Sequence, residues 1–480
     1  MTRIDATSAP EREVTDAAPG HGTALSNGLK QRHLSMIALG GVIGAGLFVG
    51  SGAGIAAAGP GIVLAYAVSG LLVMLVMRML GEMAAANPSS GTFSVHAEKA
   101  IGPWAGFAAG WMFWVELCVG IAVEAIGAAA IMVKWFPATD SWMWVLLFMA
   151  VFCGTNLAAV GNFGEFEFWF AALKVAAIGI FLVLGALAIC GLLPGTDAPG
   201  SSNLTGQGGF LPNGTDGLLA GLLASVFAYG GLETLTIAAA ESEQPVKGVA
   251  KAVRTAMWRI ALFYVGSMLV VVTLIPWTDK SLLSGPYVAV LDHLDVPAAG
   301  QIMNVIVLIA LLSAMNANIY GASRMAHSLV ERGEGPRFLG KVSSGVPRRT
   351  VLASSAFGFF AVLLSYWWPD TVFKWLLYMT GAAILVVWGF IAVTQLMMRY
   401  RLEREQPGKL VVRMWWFPYL TVVALLGILC TLGLMLREED TAEQLYATAG
   451  LTVALAVGGY LRQRANARKA GTTGTTDARN

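Results

Sequence analysis

The chain has 480 residues, 56% of them hydrophobic and 12% charged, with 31 basic and 29 acidic side chains and a mean hydropathy of +0.66. A soluble globular protein carries about 25% charged residues, so a water-soluble enzyme is excluded, and a net charge of +2 offers nucleic acid no electrostatic footprint. The apolar residues come in long continuous runs and not in alternating segments of about 10 residues, which excludes a membrane β-barrel.

Residues 1–28 form a polar tail without the apolar core of a signal peptide. A bilayer crossing needs roughly 20 apolar residues, and twelve helical spans are predicted, near 33–58, 61–84, 103–134, 142–161, 166–193, 216–240, 253–276, 298–328, 350–367, 371–398, 415–436 and 442–461. The fold class is therefore all-α integral membrane. A second polar tail follows over 462–480. Basic residues are retained on the cytoplasmic side. With both tails inside, Arg78, Lys99, Lys251, Arg332, Arg348, Arg399, Arg404 and Arg413 all fall inside, while the opposite loops hold only Lys134, Lys280, Lys374 and Arg437. This places the protein in the cell membrane with cytoplasmic termini and the lipid bilayer as its surroundings. Between the second and third spans, residues 87–100 read as a cytoplasmic amphipathic helix capped by Ser89 or Ser90. Cys118, Cys153, Cys190 and Cys430 all lie inside apolar runs without paired spacing, and read as core residues. The histidines are scattered, and no metal is expected.

Two spans carry signals of interruption. The first contains seven glycines over residues 40–54, too dense for helix packing alone, and unwinding is predicted near Ile43 to Gly46. The sixth contains FAYGGLE over 227–233, a glycine pair followed by the acid Glu233. Unwound backbone at membrane depth is tolerated only where it lines a cavity or is buried in protein. Breaks in the first and sixth spans imply two five-helix repeats of inverted topology, 29–193 and 194–400, with the last two spans over 401–461 outside them. A substrate site is then expected near the bilayer midplane between the breaks. Freed N–H groups of the first span suit a carboxylate, and freed carbonyls at the other ends suit an ammonium. Such a site wants a zwitterion, a small amino acid.

Four stretches, GVIGAGLFVGSG at 41–52, GEFEFWFAALKV at 164–175, FAYGGLE at 227–233 and SAMNANIYGASRM at 313–325, together resemble the amino-acid permeases of the amino acid–polyamine–organocation superfamily. Within that family, TIAAAES at 236–242 and WRIALFY at 258–264 look like the 4-aminobutyrate permeases. The resemblance implies a LeuT-like fold with discontinuous first and sixth spans, a substrate site with the carboxylate on the backbone at Ile43, Gly44, Ala45 and Gly46 and the amine beside the backbone at Phe227, Ala228, Tyr229 and Gly230, and proton-coupled uptake by alternating access. It implies no cofactor beyond the proton as coupling ion, and no obligatory protein partner is evident. Exchange of substrates, other aromatic, branched or basic α-amino acids, and an amino-acid sensor without transport stand as alternatives.

An ionisable group at membrane depth is a functional hypothesis by default. Lys174 lies about two turns into the fifth span. It either snorkels to the interface or, as the resemblance implies, sits where sodium-coupled transporters of this fold bind their cation. Glu233 and Glu124 match acidic positions of the family, Glu233 with a structural or a coupling role and Glu124 with a hydrogen bond to a neighbouring span. Glu116, eight residues before Glu124 and on the same side of its helix, departs from the family pattern. It faces the substrate cavity, favouring a distal amine, or makes a private salt bridge. Glu165 and Glu167 read as interfacial. Ser313 and Asn316 support the site from the eighth span, Asn316 by bonding Lys174 or by holding the bundle together. Asn318 reads as packing, and Tyr229, Trp111 and Trp114 as cavity lining or plain packing.

Overall fold

A computed structural model describes residues 43–87, 92–158, 163–195, 197–233, 253–255, 257–342, 346–369, 371–437 and 439–473. Among these the chain is helical and contains no strand. Its helices are α1 (Ser51–Ala58), α2 (Ile62–Ala86), α3 (Thr92–Ala100), α4 (Pro103–Trp135), α5 (Ser141–Leu157), α6 (Phe163–Ile189), α7 (Gly214–Ala228), α8 (Gly266–Leu274), α9 (Pro286–His293), α10 (Ala299–Glu331), α11 (Arg348–Trp367), α12 (Val372–Glu405), α13 (Tyr419–Met435) and α14 (Glu439–Thr473). Two π-helical segments, Gly46–Gly50 before α1 and Ile260–Val265 before α8, widen the coil. Among the described residues, eight helical stretches are long and apolar enough to cross a bilayer, and α5, α7 and α13 are shorter apolar helices. The outward faces are apolar too: Trp169, Ile180, Val183 and Leu426 are all exposed. An apolar surface of this extent needs lipid around it.

These helices form because the runs between turn signals are rich in Ala, Leu, Ile and Val. They stay intact because buried hydroxyls bond to their own backbone. Ser51 donates to the Leu47 carbonyl at 2.6 Å, Ser69 to Ala65 at 2.7 Å and Thr380 to Leu376 at 2.7 Å, so no polar side chain at these places is stranded without water. The chain reverses between α1 and α2 at Gly59-Pro60-Gly61. Gly59 has φ 60° and Pro60 starts the new helix, a conformation that suits glycine and then proline.

The centre of the bundle is α4, with 83% of its apolar stretch buried against 11% for the stretch within α14. Small residues along α4 let neighbours approach: a Cβ on Gly110 would meet Leu329 of α10, and one on Gly120 would meet Asn318. α3, expected as a surface amphipathic helix, is instead mostly enclosed, with Phe93, Ser94, His96 and Ala97 buried. Burial holds the His96 imidazole down at about 4, so α3 carries it neutral at physiological pH. The candidate caps Ser89 and Ser90 lie outside the described residues. α14 continues through Thr473, beyond Arg462 where the sequence suggests a tail. The reason is a run of strong helix formers, Arg, Gln, Ala and Lys, over 462–470. Cys118 and Cys153 are buried as expected, whereas Cys190 and Cys430 are exposed. Cys190 follows the end of α6, and Cys430 lies on α13 beside the outward-facing Leu429.

A polar network ties α2, α12 and α13. The Glu82 carboxylate accepts from Arg399 at 2.5 Å, from the Met414 backbone N–H at 2.5 Å and from Gln395 at 2.7 Å. Gln395 in turn accepts from Thr421 at 2.9 Å, and Arg399 donates to Glu403 at 2.8 Å. Breaking a buried pair by removing one partner costs about 3–5 kcal/mol, because the other charge stays behind uncompensated. Arg399→Ala is therefore expected to lower the detergent melting temperature markedly, and Glu403→Ala, which removes a largely exposed partner, to leave it nearly unchanged. Equal melting of both variants would refute this.

Candidate substrate site

Among the described residues, Ile43 and Gly44 are non-helical, and the coil begins at Ala45 and Gly46, with Leu47 and Phe48 donating to the Gly44 carbonyl at 3.3 Å. The unwinding expected over Ile43 to Gly46 is thus confined, among the described residues, to its first two positions. α7 ends at Ala228, and the chain turns through 229–232 with Gly231 at φ 84° before Glu233. Residues 33–42 and 234–252 lie outside the described set. The two breaks are in contact: a Cβ on Gly46 would fall 2.5 Å from the Ala228 Cα. Only glycine allows the backbones this approach.

Between them lies a cavity of about 40 Å³ lined by Gly44, Gly46, Glu116, Leu117, Gly120, Glu124, Phe227, Ala228, Gly230, Gly231, Asn318 and Thr380. That is room for a water or two, far below the roughly 300–1,000 Å³ of a typical ligand site. A site of this size must widen to admit an amino acid. Seven residues singled out in the sequence meet here: Gly44, Gly46, Glu116, Glu124, Phe227, Ala228 and Gly230. Ile43, Ala45, Tyr229, Glu233, Lys174, Ser313 and Asn316 stand behind this lining. Asn318, read from the sequence as packing, lines the cavity as well, and Leu117, Gly120, Gly231 and Thr380 are additional. Gly120 carries a readable signal, since 116, 120 and 124 are spaced by four and share one face of α4.

Glu124 closes one end. Both of its carboxyl oxygens accept from the Ala45 N–H, at 3.1 and 3.0 Å, so it caps the restarted helix as an anion caps a helix N-terminus. Behind it, Lys174 is fully buried and lies within electrostatic reach of Glu124, Glu167 and Arg259. Snorkelling is excluded by that burial. Glu167, expected at the interface, is also buried and accepts from Ser313 Oγ at 2.9 Å on both oxygens. α6 begins at Phe163, three residues earlier than its hydropathy suggests, so Glu167 lies inside the helix, where it meets Ser313 of α10. Asn316 accepts from Asn156 of α5 at 2.7 Å, which is the bundle-holding alternative.

At the other break, Trp388 Nε1 of α12 donates to Glu233. The Tyr229 side chain turns away from the cavity. Its hydroxyl donates to the Tyr66 carbonyl at 2.8 Å, and its ring packs on Tyr66 and Tyr264 with centroids 6.0 and 4.8 Å away. The Tyr229 backbone alone is left at the break. Trp111 and Trp114 donate elsewhere, to the Glu334 carbonyl at 3.1 Å and to Ser354 Oγ at 2.9 Å, and they line other parts of the molecule. Glu116 is 3% exposed and does face the cavity. No cation pairs with it among the described residues, and its Oε2 has no hydrogen-bond partner.

Comparison with known proteins gives this arrangement its context. The amino acid permease family matches residues 33–469. The gamma-aminobutyric acid permease of Bacillus subtilis is 48% identical over 423 residues, 87% of this chain and 90% of the relative. A probable GABA permease of Pseudomonas aeruginosa is 47% identical, over 93% of this chain and 94% of the relative. The aromatic amino acid transport protein AroP of Corynebacterium glutamicum is 45% identical, over 88% and 92%. A family match across nearly the whole chain, on an apolar helical bundle whose two glycine-rich stretches meet at one cavity, shows that this membrane-embedded chain belongs to the amino acid permease family.

Proposed function

We propose that this permease takes up 4-aminobutyrate with protons by alternating access, through twelve spans arranged as two inverted five-helix repeats followed by two further spans, with both termini cytoplasmic. The observation that carries the reading is the meeting of the two glycine-rich stretches, one at the start of a helical segment and one at the end of α7, at one cavity. The first N–H groups of a helix have no partner inside it, and neither do the last carbonyls. Gly44 and Gly46 stand at the cavity at the start of the π segment, while Ala228 stands there at the carbonyl end of α7. Carboxylate and ammonium are favoured on those respective sides. Relatives named for gamma-aminobutyric acid at 48% and 47% identity support the substrate, and a relative named for aromatic amino acids at 45% keeps that class as the alternative.

In this reading Lys174, with Glu124 and Glu167 around it, is the group that carries the coupling proton. Charged, it satisfies the two carboxylates; neutral, it loosens α6 from the Ala45 break. A buried lysine is one of the side chains able to make that change. Glu233, anchored by Trp388, holds the second break. Uptake of labelled 4-aminobutyrate, phenylalanine, leucine and lysine into sodium-free proteoliposomes tests the proposal. Concentrative accumulation of 4-aminobutyrate under an inward proton gradient, abolished by a protonophore, is expected. Accumulation that is indifferent to the gradient and requires preloaded substrate would replace symport with exchange.

A further inference from the structure

We propose that Glu116 binds the distal ammonium of the substrate, which makes this site selective for ω-amino acids over α-amino acids. The inference rests on the amino-acid permease reading above and deepens it. Glu116 sits on the face of α4 that also carries Glu124, eight residues away, a separation of about 12 Å along the helix axis at 1.5 Å per residue. Both side chains line the same cavity. Glu124 is committed to the Ala45 N–H at the first break. Glu116 is joined to the second break, where the Gly231 backbone N–H donates to it, and its other oxygen, Oε2, is buried with no partner. A buried carboxylate oxygen without a donor is costly and is explained by a donor that arrives with the ligand. Glu233, outside the lining, stands within electrostatic reach of Glu116, so the surroundings of this end are acidic and favour a cation.

The opposite end presents the N–H groups of Gly44 and Gly46. An α-amino acid, whose two charged groups share one carbon, leaves Glu116 unpaired when its carboxylate sits on those N–H groups. An ω-amino acid spans the cavity and satisfies both ends. A site built to hydrogen-bond a charged group rejects analogues that lack it, because its own polar group is then left buried and unmatched.

The test uses the full-length protein purified in detergent and reads binding of 4-aminobutyrate, 5-aminovalerate, butyrate and leucine to the wild type, Glu116→Gln and Glu116→Asp. Butyrate keeps the carboxylate and lacks the amine. Glu116→Gln is expected to weaken 4-aminobutyrate about tenfold to hundredfold, the range of one charge-assisted hydrogen bond, with butyrate and leucine affected less than about threefold. Glu116→Asp, which withdraws the carboxylate by one methylene, is expected to shift preference toward the longer 5-aminovalerate, a change that a structural role would not produce. It also keeps the test alive if the Gln variant fails to fold. Equal losses for all four ligands, or unchanged 4-aminobutyrate binding in folded Glu116→Gln, would overturn the assignment. A wild type that binds leucine and ignores 4-aminobutyrate would overturn the substrate reading itself, an outcome visible without any variant.

Discussion

Lys174→Ala is expected to reduce proton-driven accumulation of substrate to the level of protein-free vesicles, while the protein still inserts and elutes as a folded species. Lys174 is fully buried, and its surroundings are two carboxylates on different helices, Glu124 of α4 and Glu167 of α6. Glu124 holds the Ala45 N–H and Glu167 is held by Ser313 of α10, so the ammonium stands where three helices and the first break converge. Removing it leaves two acids facing each other in a medium that screens poorly, a change of several kcal/mol. Each acid can bind a proton in response. The gradient then has no group whose charge changes with the state of the break. Lys174→Arg separates charge from titration, since a guanidinium keeps the charge but does not deprotonate. Substrate binding is expected to survive in that variant and concentrative uptake to fail. Gradient-driven uptake by Lys174→Arg at the wild-type rate would remove Lys174 from the coupling role. The readout is paired: equilibrium binding in detergent and accumulation in vesicles for the same preparation.

Much of this site is legible before any coordinates, for reasons of backbone chemistry. Glycine density marks Gly44, Gly46 and the pair Gly230-Gly231 because a Cβ there would meet Glu124, Ala228 or Ile384, or sit at the positive φ of Gly231. The spacing of Glu116 and Glu124 marks one face of α4, since a helix keeps its phase over two turns. Phase is also what fails elsewhere. The turn at 229–232 has none, so the direction of the Tyr229 ring, packed back on Tyr66 and Tyr264, cannot be read from its neighbours. Glu167 is misplaced because hydropathy puts the start of α6 three residues late, and because its partner Ser313 lies on the distant helix α10. Asn318 and Thr380 reach the cavity only through the packing of α10 and α12 around α4. Asn318 fits because residue 120 is a glycine, 2.8 Å from its amide nitrogen to the Cβ that is missing. Pairings between distant helices of this kind are tertiary facts, and no local pattern announces them.

Gly44→Ala is expected to lower substrate uptake about tenfold or more, and Glu124→Asp is expected to recover part of the loss when added to it. A Cβ on Gly44 would enter the space of the Glu124 carboxyl, with Cδ only 2.8 Å away, and a carboxylate committed to the Ala45 N–H cannot retreat without giving up that bond. The cost is that of a hydrogen bond to a charged group, about 1.5–3 kcal/mol, which corresponds to roughly ten- to hundredfold in an equilibrium. It falls on the restarted helix, where Glu124 neutralises the N-terminal end of the coil. Glu124→Asp alone is also damaging, since the shorter side chain withdraws from Ala45. Together the two changes are complementary: the methylene lost by the acid makes room for the methyl gained at residue 44. A double-mutant cycle on uptake and on detergent melting therefore predicts strong non-additivity, with the double variant no worse than either single one. Simple addition of the two losses would mean that Gly44 and Glu124 act apart, and that the close approach of α4 to the first break is not what holds the site in shape.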